Sequence, residues 1–297
     1  MYDVIVLSLS DGTGCGGGEC ACGTGAQPRA QVKACADALA AEGATVTTPT
    51  ACSDQEIDAV IARLDGPARP DGLTWPAPDG PRLIVATAAE GQVRAVVRRM
   101  VRRYAPPPSR RPADLPAGRT VPDLPPIGIL PLNRPAEFGL PTDPALVAKA
   151  VLAGTVERLD LLRNDGGSVT LQGALLGGQQ NWAARIEVDD AVLATPDEQI
   201  TACAIANDDG FAVVDGLPLT PAADPADGMV NVAVAVPVVT RRLARRRVRV
   251  EVRRARGRAV AVTPLGEVDF LDDGVAGTLT RKRSWWMERG AWGVYRS

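Results

Sequence analysis

The chain has no histidine among its 297 residues. That excludes Ser-His-Asp and Cys-His catalysis, a histidine general base and any histidine-ligated metal site. Lysine is nearly missing too: Lys33, Lys149 and Lys282 are the only ones. None stands in a G-x-x-x-x-G-K-[ST] setting, so a P-loop lysine is excluded. No apolar run approaches the roughly 18–20 residues of a membrane helix. Met1 to Ser10 has no basic start and no long apolar core, so no signal peptide is expected. Neither sign of charge dominates: 33 Lys+Arg face 35 Asp+Glu, a formal charge of -2 that demands no nucleic-acid partner.

What is present is an ordinary globular composition, 45% apolar and 23% charged. The length suits about two domains at ~150 residues each. Five of the six cysteines fall early, at Cys15, Cys20, Cys22, Cys35 and Cys52, with Cys203 alone downstream. Disulfide frameworks belong mostly to much smaller secreted domains, so a cytoplasmic chain with reduced thiols is expected. Cys15, Cys20 and Cys22 have close ligand spacing but no matching second pair. Two readings stay open there: a metal- or redox-sensing loop, or a flexible Gly-rich loop carrying thiols.

The first half alternates strands and helices. Val4–Leu9 is a continuous apolar run suited to a buried parallel strand. A helix is predicted over Arg29–Glu42 and a strand over Ala44–Thr48. Ser53 and Glu56 form a capping box ahead of Ile57, Val60, Ile61 and Leu64. Strand Arg82–Ala86 precedes a helix with Val93, Val96, Val97, Met100, Val101 and Tyr104 on one face. The segment from Ala105 to Pro126 holds eight prolines and is predicted to be a linker or mobile loop. Strand Ile127–Leu132 follows, then a helix opened by Asp143-Pro144 and closed by Gly154. Beyond Gly154 short strands dominate, which predicts an antiparallel β domain. The expected division is 1–133 and 134–297.

In this order the elements resemble the diacylglycerol kinase catalytic-domain family, bacterial lipid kinases with a fold like that of NAD kinases. The resemblance rests on Asn207-Asp208-Asp209-Gly210-Phe211, on Leu219 to Val232 with its Asp224-Pro225-Ala226-Asp227-Gly228 turn, on Gly139 to Asp143 with Arg158-Leu159-Asp160-Leu161, and on Val250 to Arg256. It implies a parallel α/β nucleotide-binding domain followed by an antiparallel β-sandwich domain. It also implies ATP, Mg²⁺ and phosphoryl transfer to a lipid hydroxyl.

The resemblance places the nucleotide loops at Ser10 and Gly12, at Ala88-Ala89-Glu90-Gly91-Gln92, and at Asn133. The family's G-G-D-G-T is replaced by Ala-Ala-Glu-Gly-Gln, and its G-T-G after the fourth strand is missing. Glycines in such a loop let backbone N–H groups approach phosphate, and two Cβ atoms at Ala88 and Ala89 crowd that approach. The family's D-G-E, whose acid looks like the base for the lipid hydroxyl, reads Asp273-Gly274-Val275 here. Asp273 or Asp272 is then the candidate base. Asp224, Asp227 and the Met229 carbonyl match a structural Mg²⁺ site, and the same residues suit a plain Asx-type turn.

Arg241–Arg258 carries ten arginines and one glutamate. Attraction to a lipid or anionic membrane surface is one reading, a solvated basic face another; nucleic acid is not expected, since no aromatic residues are interleaved. A homodimer and peripheral attachment to the inner membrane face stay open. Three functional expectations result. The first is a lipid-kinase-fold protein with weakened or lost phosphoryl transfer. The second is an active ATP-dependent lipid kinase with a divergent phosphate loop. The third is a sensor built on Cys15, Cys20 and Cys22.

Overall fold

The computed structural model describes residues 2–10, 29–89, 91–132, 138–209, 211–214, 216–220, 223–242 and 245–296. The chain forms two compact units: Met1–Leu159 with Ala291–Ser297, and Asp160–Gly290.

The first unit runs β1 (Asp3–Leu9), α1 (Ala30–Ala41), β2 (Thr45–Thr47), β3 (Thr50–Ala51), α2 (Asp54–Ile61), β4 (Arg82–Thr87), α3 (Gln92–Tyr104), β5 (Ile127–Pro131) and α4 (Pro144–Ala153). The strands pair in parallel in the order β2-β1-β4-β5, with β3 also on β1. Parallel strands need crossover helices, and the periodicity supplies them. Val4, Val6, Ile84 and Ala86 on one sheet face pack against Val32, Cys35 and Leu39 of α1 and Val147 and Val151 of α4. Their alternates Ile5, Leu7, Leu83 and Val85 are equally buried, so both faces are covered.

The expected caps form. Ser53 Oγ accepts the Glu56 amide at 3.2 Å, and the Glu56 carboxylate accepts the Cys52 amide. Asp143 Oδ1 takes the amides of Ala145 and Leu146 at 2.9 and 3.1 Å, and Gly154 ends α4 at φ 73°. The arginines of α3 pair with acids on or after α2: Arg98 with Asp54, Arg99 with Asp58 and Arg103 with Asp65.

The second unit is an antiparallel sandwich, and β6 (Val156–Asn164) leads the chain into it. Then come β7 (Val169–Thr170), β8 (Gly173–Trp182), β9 (Ala184–Val188), β10 (Ala191–Ala194), β11 (Ile200–Ala206), β12 (Val213–Val214) and β13 (Leu217–Pro218). They are followed by β14 (Val230–Arg242), β15 (Arg245–Gly257), β16 (Ala259–Pro264), β17 (Val268–Asp272), β18 (Val275–Leu279) and β19 (Arg283–Tyr295). One sheet has the order β15-β14-β11-β8-β17-β18, and β10-β9-β16-β19 face it. Between them lies a core of alternating residues, including Val230, Val232 and Val234 of β14, Ile186 of β9, Val260 of β16 and Trp285 of β19. The expected α/β unit followed by an antiparallel β-sandwich is therefore present.

Two local expectations change. The proline-rich stretch from 105 to 126 is packed rather than a free linker: Val121 and Leu124 are fully buried, and the Leu124 amide donates to the Ala291 carbonyl at 2.8 Å. The C-terminal aromatic and basic segment is a 13-residue strand, Arg283–Tyr295, with Trp285 and Trp292 buried in core. Cys52 is disulfide-bonded, so the expectation of reduced thiols does not hold for it. Cys35 and Cys203 are buried free thiols, pushed up to about 12 by desolvation. No helix among the described residues is long and apolar enough to cross a membrane.

Candidate functional site

In the first unit, β4 ends at Thr87 and α3 starts at Gln92, so a tight turn presents backbone amides just ahead of a helix N-terminus. Such a turn is suited to an anion, because the amides and the helix dipole both favour negative charge. Gly91 caps the helix at φ 77°, a left-handed conformation that glycine adopts without cost. The seat is filled from within. Gln92 Oε1 accepts the Ala88 amide at 2.7 Å and the Ala89 amide at 3.3 Å, and the Gln92 residue is buried. The threonine of the family motif has no carbonyl oxygen to place there.

Ser10 lies exposed at the end of β1, its amide donating to the Ala51 carbonyl at 3.0 Å. The residues Gly12, Glu90 and Asn133, and with them Cys15, Cys20 and Cys22, lie outside the described residues.

The second unit holds the other candidates in a buried polar framework. Asp273 sits in the β17–β18 turn at φ 46°. Its carboxylate takes three backbone amides: Leu171 at 2.7 Å, Gln172 at 2.8 Å and Gly173 at 3.0 Å. The turn those amides belong to is also held by Asn207, which donates from Nδ2 to the Leu171 carbonyl at 3.1 Å and to the Asp160 carbonyl at 2.9 Å. Asp160 in turn accepts the Gly228 amide at 2.5 Å and the Gly290 amide at 2.7 Å. Burial raises the Asp160 pKa above the ordinary carboxylate range, the two amides pull it back, and the nearby Asp227 charge adds to the rise. Gly228 has φ 77°, a left-handed conformation that favours glycine, and a Cβ there would press on the Arg289 side chain at 3.0 Å.

Asp224 and Asp227 are in that same turn. Asp224 Oδ1 accepts the Ala226 amide at 2.9 Å, and Asp227 Oδ1 accepts the Met229 amide at 2.8 Å. The other Asp227 oxygen is paired with Arg256. These are the bonds of an Asx-type turn. Among the described residues no group of three or more Asp, Glu, Cys or His stands ready for a metal ion. Asp272 is buried in β17 opposite Val275, and Val275 is 41% exposed.

No family model matches the chain, and no curated protein matches it. Solved structures do. A diacylglycerol kinase structure from Bacillus anthracis str. Sterne aligns over 99% of this chain and 97% of its own, at 12% identity and a TM-score of 0.59. A second Bacillus anthracis structure, described as a diacylglycerol kinase by assignment, aligns over the same shares at 12% identity and a TM-score of 0.65. An NAD kinase from Archaeoglobus fulgidus, in complex with ATP, aligns over 99% of this chain and 94% of its own, at 11% identity and a TM-score of 0.57.

The fold is that of the diacylglycerol and NAD kinases. On this kinase fold the sequence-predicted residues divide by unit. Ala88, Ala89, Gly91 and Gln92 come together in the first. In the second, Asp273 holds the Leu171–Gly173 amides, and Asp224 and Asp227 close a separate turn beside Gly228, whose amide goes to Asp160. Sequence reasoning singled out Asp273 as a base and overlooked Asp160, the buried carboxylate on which two glycine turns converge. The signal was present in Arg158-Leu159-Asp160-Leu161, where an acid interrupts an otherwise apolar strand.

Proposed function

We propose that this chain is a diacylglycerol-kinase-like protein whose phosphoryl-transfer apparatus has been lost, leaving a binding or regulatory protein on a lipid-kinase scaffold. The observation that carries the reading is the Gln92 side chain lodged on the Ala88 and Ala89 amides. ATP phosphate would need those same donors, so the residues present do not fit the group and no transfer step is assigned through it. Two further features support the reading. The Asp273 carboxylate is taken up by three amides of the fold, and Val275 stands where the resemblance places the acid.

The test is calorimetric titration of the full chain with Mg-ATP, on wild type and on Gln92→Thr combined with Ala88→Gly and Ala89→Gly. No binding by wild type and measurable binding by the triple variant is expected. Micromolar binding by wild type, followed by phosphorylation of a diacylglycerol, would favour the active-kinase reading instead.

A separate observation supports contact with an anionic lipid surface. β14 and β15 stay paired from Val236↔Glu251 out to Arg242↔Arg245, past the last β11 partner at Ala235. The result is a two-stranded arm carrying Arg241, Arg242, Arg245, Arg246, Arg247 and Arg249. The remaining arginines of the segment are largely engaged inside the unit: Arg253 with Glu198 at 2.7 Å, Arg254 with the Leu219 carbonyl at 2.8 Å, and Arg256 with Asp227. At about 1 kcal/mol per charge near an anionic surface the arm alone suffices for salt-sensitive attachment. Vesicles rich in phosphatidylserine should co-sediment the protein and neutral vesicles should not. Replacing the arm arginines with serine should abolish the difference, and equal sedimentation with both vesicle types would reject it.

A further inference from the structure

Two proline-rich segments of the first unit enclose a cavity of about 390 Å³ that no part of the kinase chemistry uses. Trp75, Pro76 and Pro78 form one wall, and Pro116, Pro122 and Leu124 another. Pro126, just before β5, also lines it, whereas Ala88 follows the end of parallel β4. The cavity therefore lies at the end of the sheet opposite the Ala88–Gln92 turn.

Its walls are preformed. The Gly66 amide donates to the Trp75 carbonyl at 2.7 Å, and the Ala77 amide to the Leu64 carbonyl at 2.8 Å. The Arg69 guanidinium sits 4.0 Å from the centre of the Trp75 ring. The size falls within the usual range of small-molecule sites, and flat proline and indole surfaces dominate the lining.

Charge is unevenly distributed along this cavity: Arg69 is shared by Asp71 and Asp114 at one end, and Asp123 by Arg119 and Arg158 at the other. Asp123 and Arg158 both line it. Asp123 Oδ1 accepts from Arg119 Nη1 at 2.6 Å, and its Oδ2 is 4.0 Å from Arg158 Nη2. The Arg119 side chain is only 6% exposed, and its Nε and Nη2 have no hydrogen-bond partner. Asp114, the other acid of the lining, is held by Arg69 at 3.2 Å. At the Arg158 end two guanidinium groups thus share one carboxylate, with Arg158 Nη1 also donating to the Leu124 carbonyl at 2.9 Å, and the Nε and Nη2 donors of Arg119 are left unmet. Burying such a group without acceptors is costly. Burial lowers the Arg158 pKa, with Asp123 opposing and the Arg119 charge adding to the fall.

We propose that this cavity binds a small organic carboxylate, its flat apolar body against Trp75 and the proline rings and its charged group on Arg158, with Arg119 supplying the unmatched positive charge behind Asp123. A monoanion offsets the extra guanidinium at the Arg158 end; a phosphate dianion overshoots it. Guanidinium matches carboxylate in shape as well as charge.

The full chain would be titrated with naphthoate, with the isosteric neutral naphthamide and with naphthyl phosphate, following calorimetry and tryptophan fluorescence. Naphthoate should bind saturably and about tenfold or more tighter than the amide, the effect of one charge-assisted hydrogen bond. Arg158→Gln should erase that preference, and Trp75→Leu should weaken both ligands alike. Equal binding of acid and amide by wild type, no saturable binding, or a preference that survives Arg158→Gln would overturn the proposal. Tighter binding of naphthyl phosphate would overturn the assignment to carboxylates. The acid–amide comparison on wild type needs no variant to fold.

Discussion

The Ala88–Gln92 turn of the first unit and the polar framework of the second differ in what their residues touch. At the first, Gly91 is left-handed ahead of a helix and the side chain at 92 occupies the Ala88 and Ala89 amides. In the second unit Asp273, Asn207, Asp160 and Gly228 hold one another's backbone in place. The first set would face a ligand, so changing it leaves the fold intact. The second set satisfies buried amides and carbonyls, so changing it opens the sandwich.

The largest expected effect breaks or keeps this contrast directly. Asp273→Ala strips the acceptor from two buried amides and one part-buried one and should cost about 3 kcal/mol of stability at roughly 1 kcal/mol per orphaned donor. Denaturant unfolding reads it out. A loss below half of that would mean that Asp273 is not a structural anchor, and the contrast would collapse.

Gln92→Ala should be milder. It frees the Ala88 and Ala89 amides at an exposed-facing turn, where water can replace the side chain, for a loss of about 1 kcal/mol. A loss as large as that of Asp273→Ala would make Gln92 a core residue rather than a plug.

The smallest effect is signed by pH. Burial raises the folded-state pKa of Asp160 above its unfolded value near 3.9. Its contribution is therefore most favourable below the unfolded pKa and is lost as pH rises through the folded one. The stability of wild type relative to Asp160→Asn should fall as pH is raised from about 4, over the acid range. An opposite slope in paired unfolding curves would show that the Gly228 and Gly290 amides outweigh desolvation.

Much of this molecule was legible beforehand because its signals are local. The capping box at Ser53 and Glu56, the Asp143-Pro144 start and Gly154 stop of α4, and the apolar runs of β1, β4 and β5 all act through neighbours within a turn or two of chain. Strand β19 was not legible. Its Trp285-Trp286-Met287-Glu288-Arg289 run breaks the alternation of a half-buried strand, and Glu288 is buried only because Trp286 donates to it at 2.9 Å and Arg163 stands 3.5 Å away. Nor was the length of β14 and β15 legible, since each is extended by pairing with the other.

The sequence by itself determined the two classes of architecture, the strand–helix order of the first unit and the departures from the motifs of the resemblance, because residue type and short-range periodicity carry that information. Only the tertiary structure decided where the freed groups went. It placed the Gln92 oxygen on two amides, gathered Asp273 and Asp160 with partners about 70 to 130 residues away, and folded two proline-rich stretches around an arginine pair. Those outcomes depend on which distant backbone donors and charges burial brings together, and burial is a property of the packed chain rather than of any segment of it.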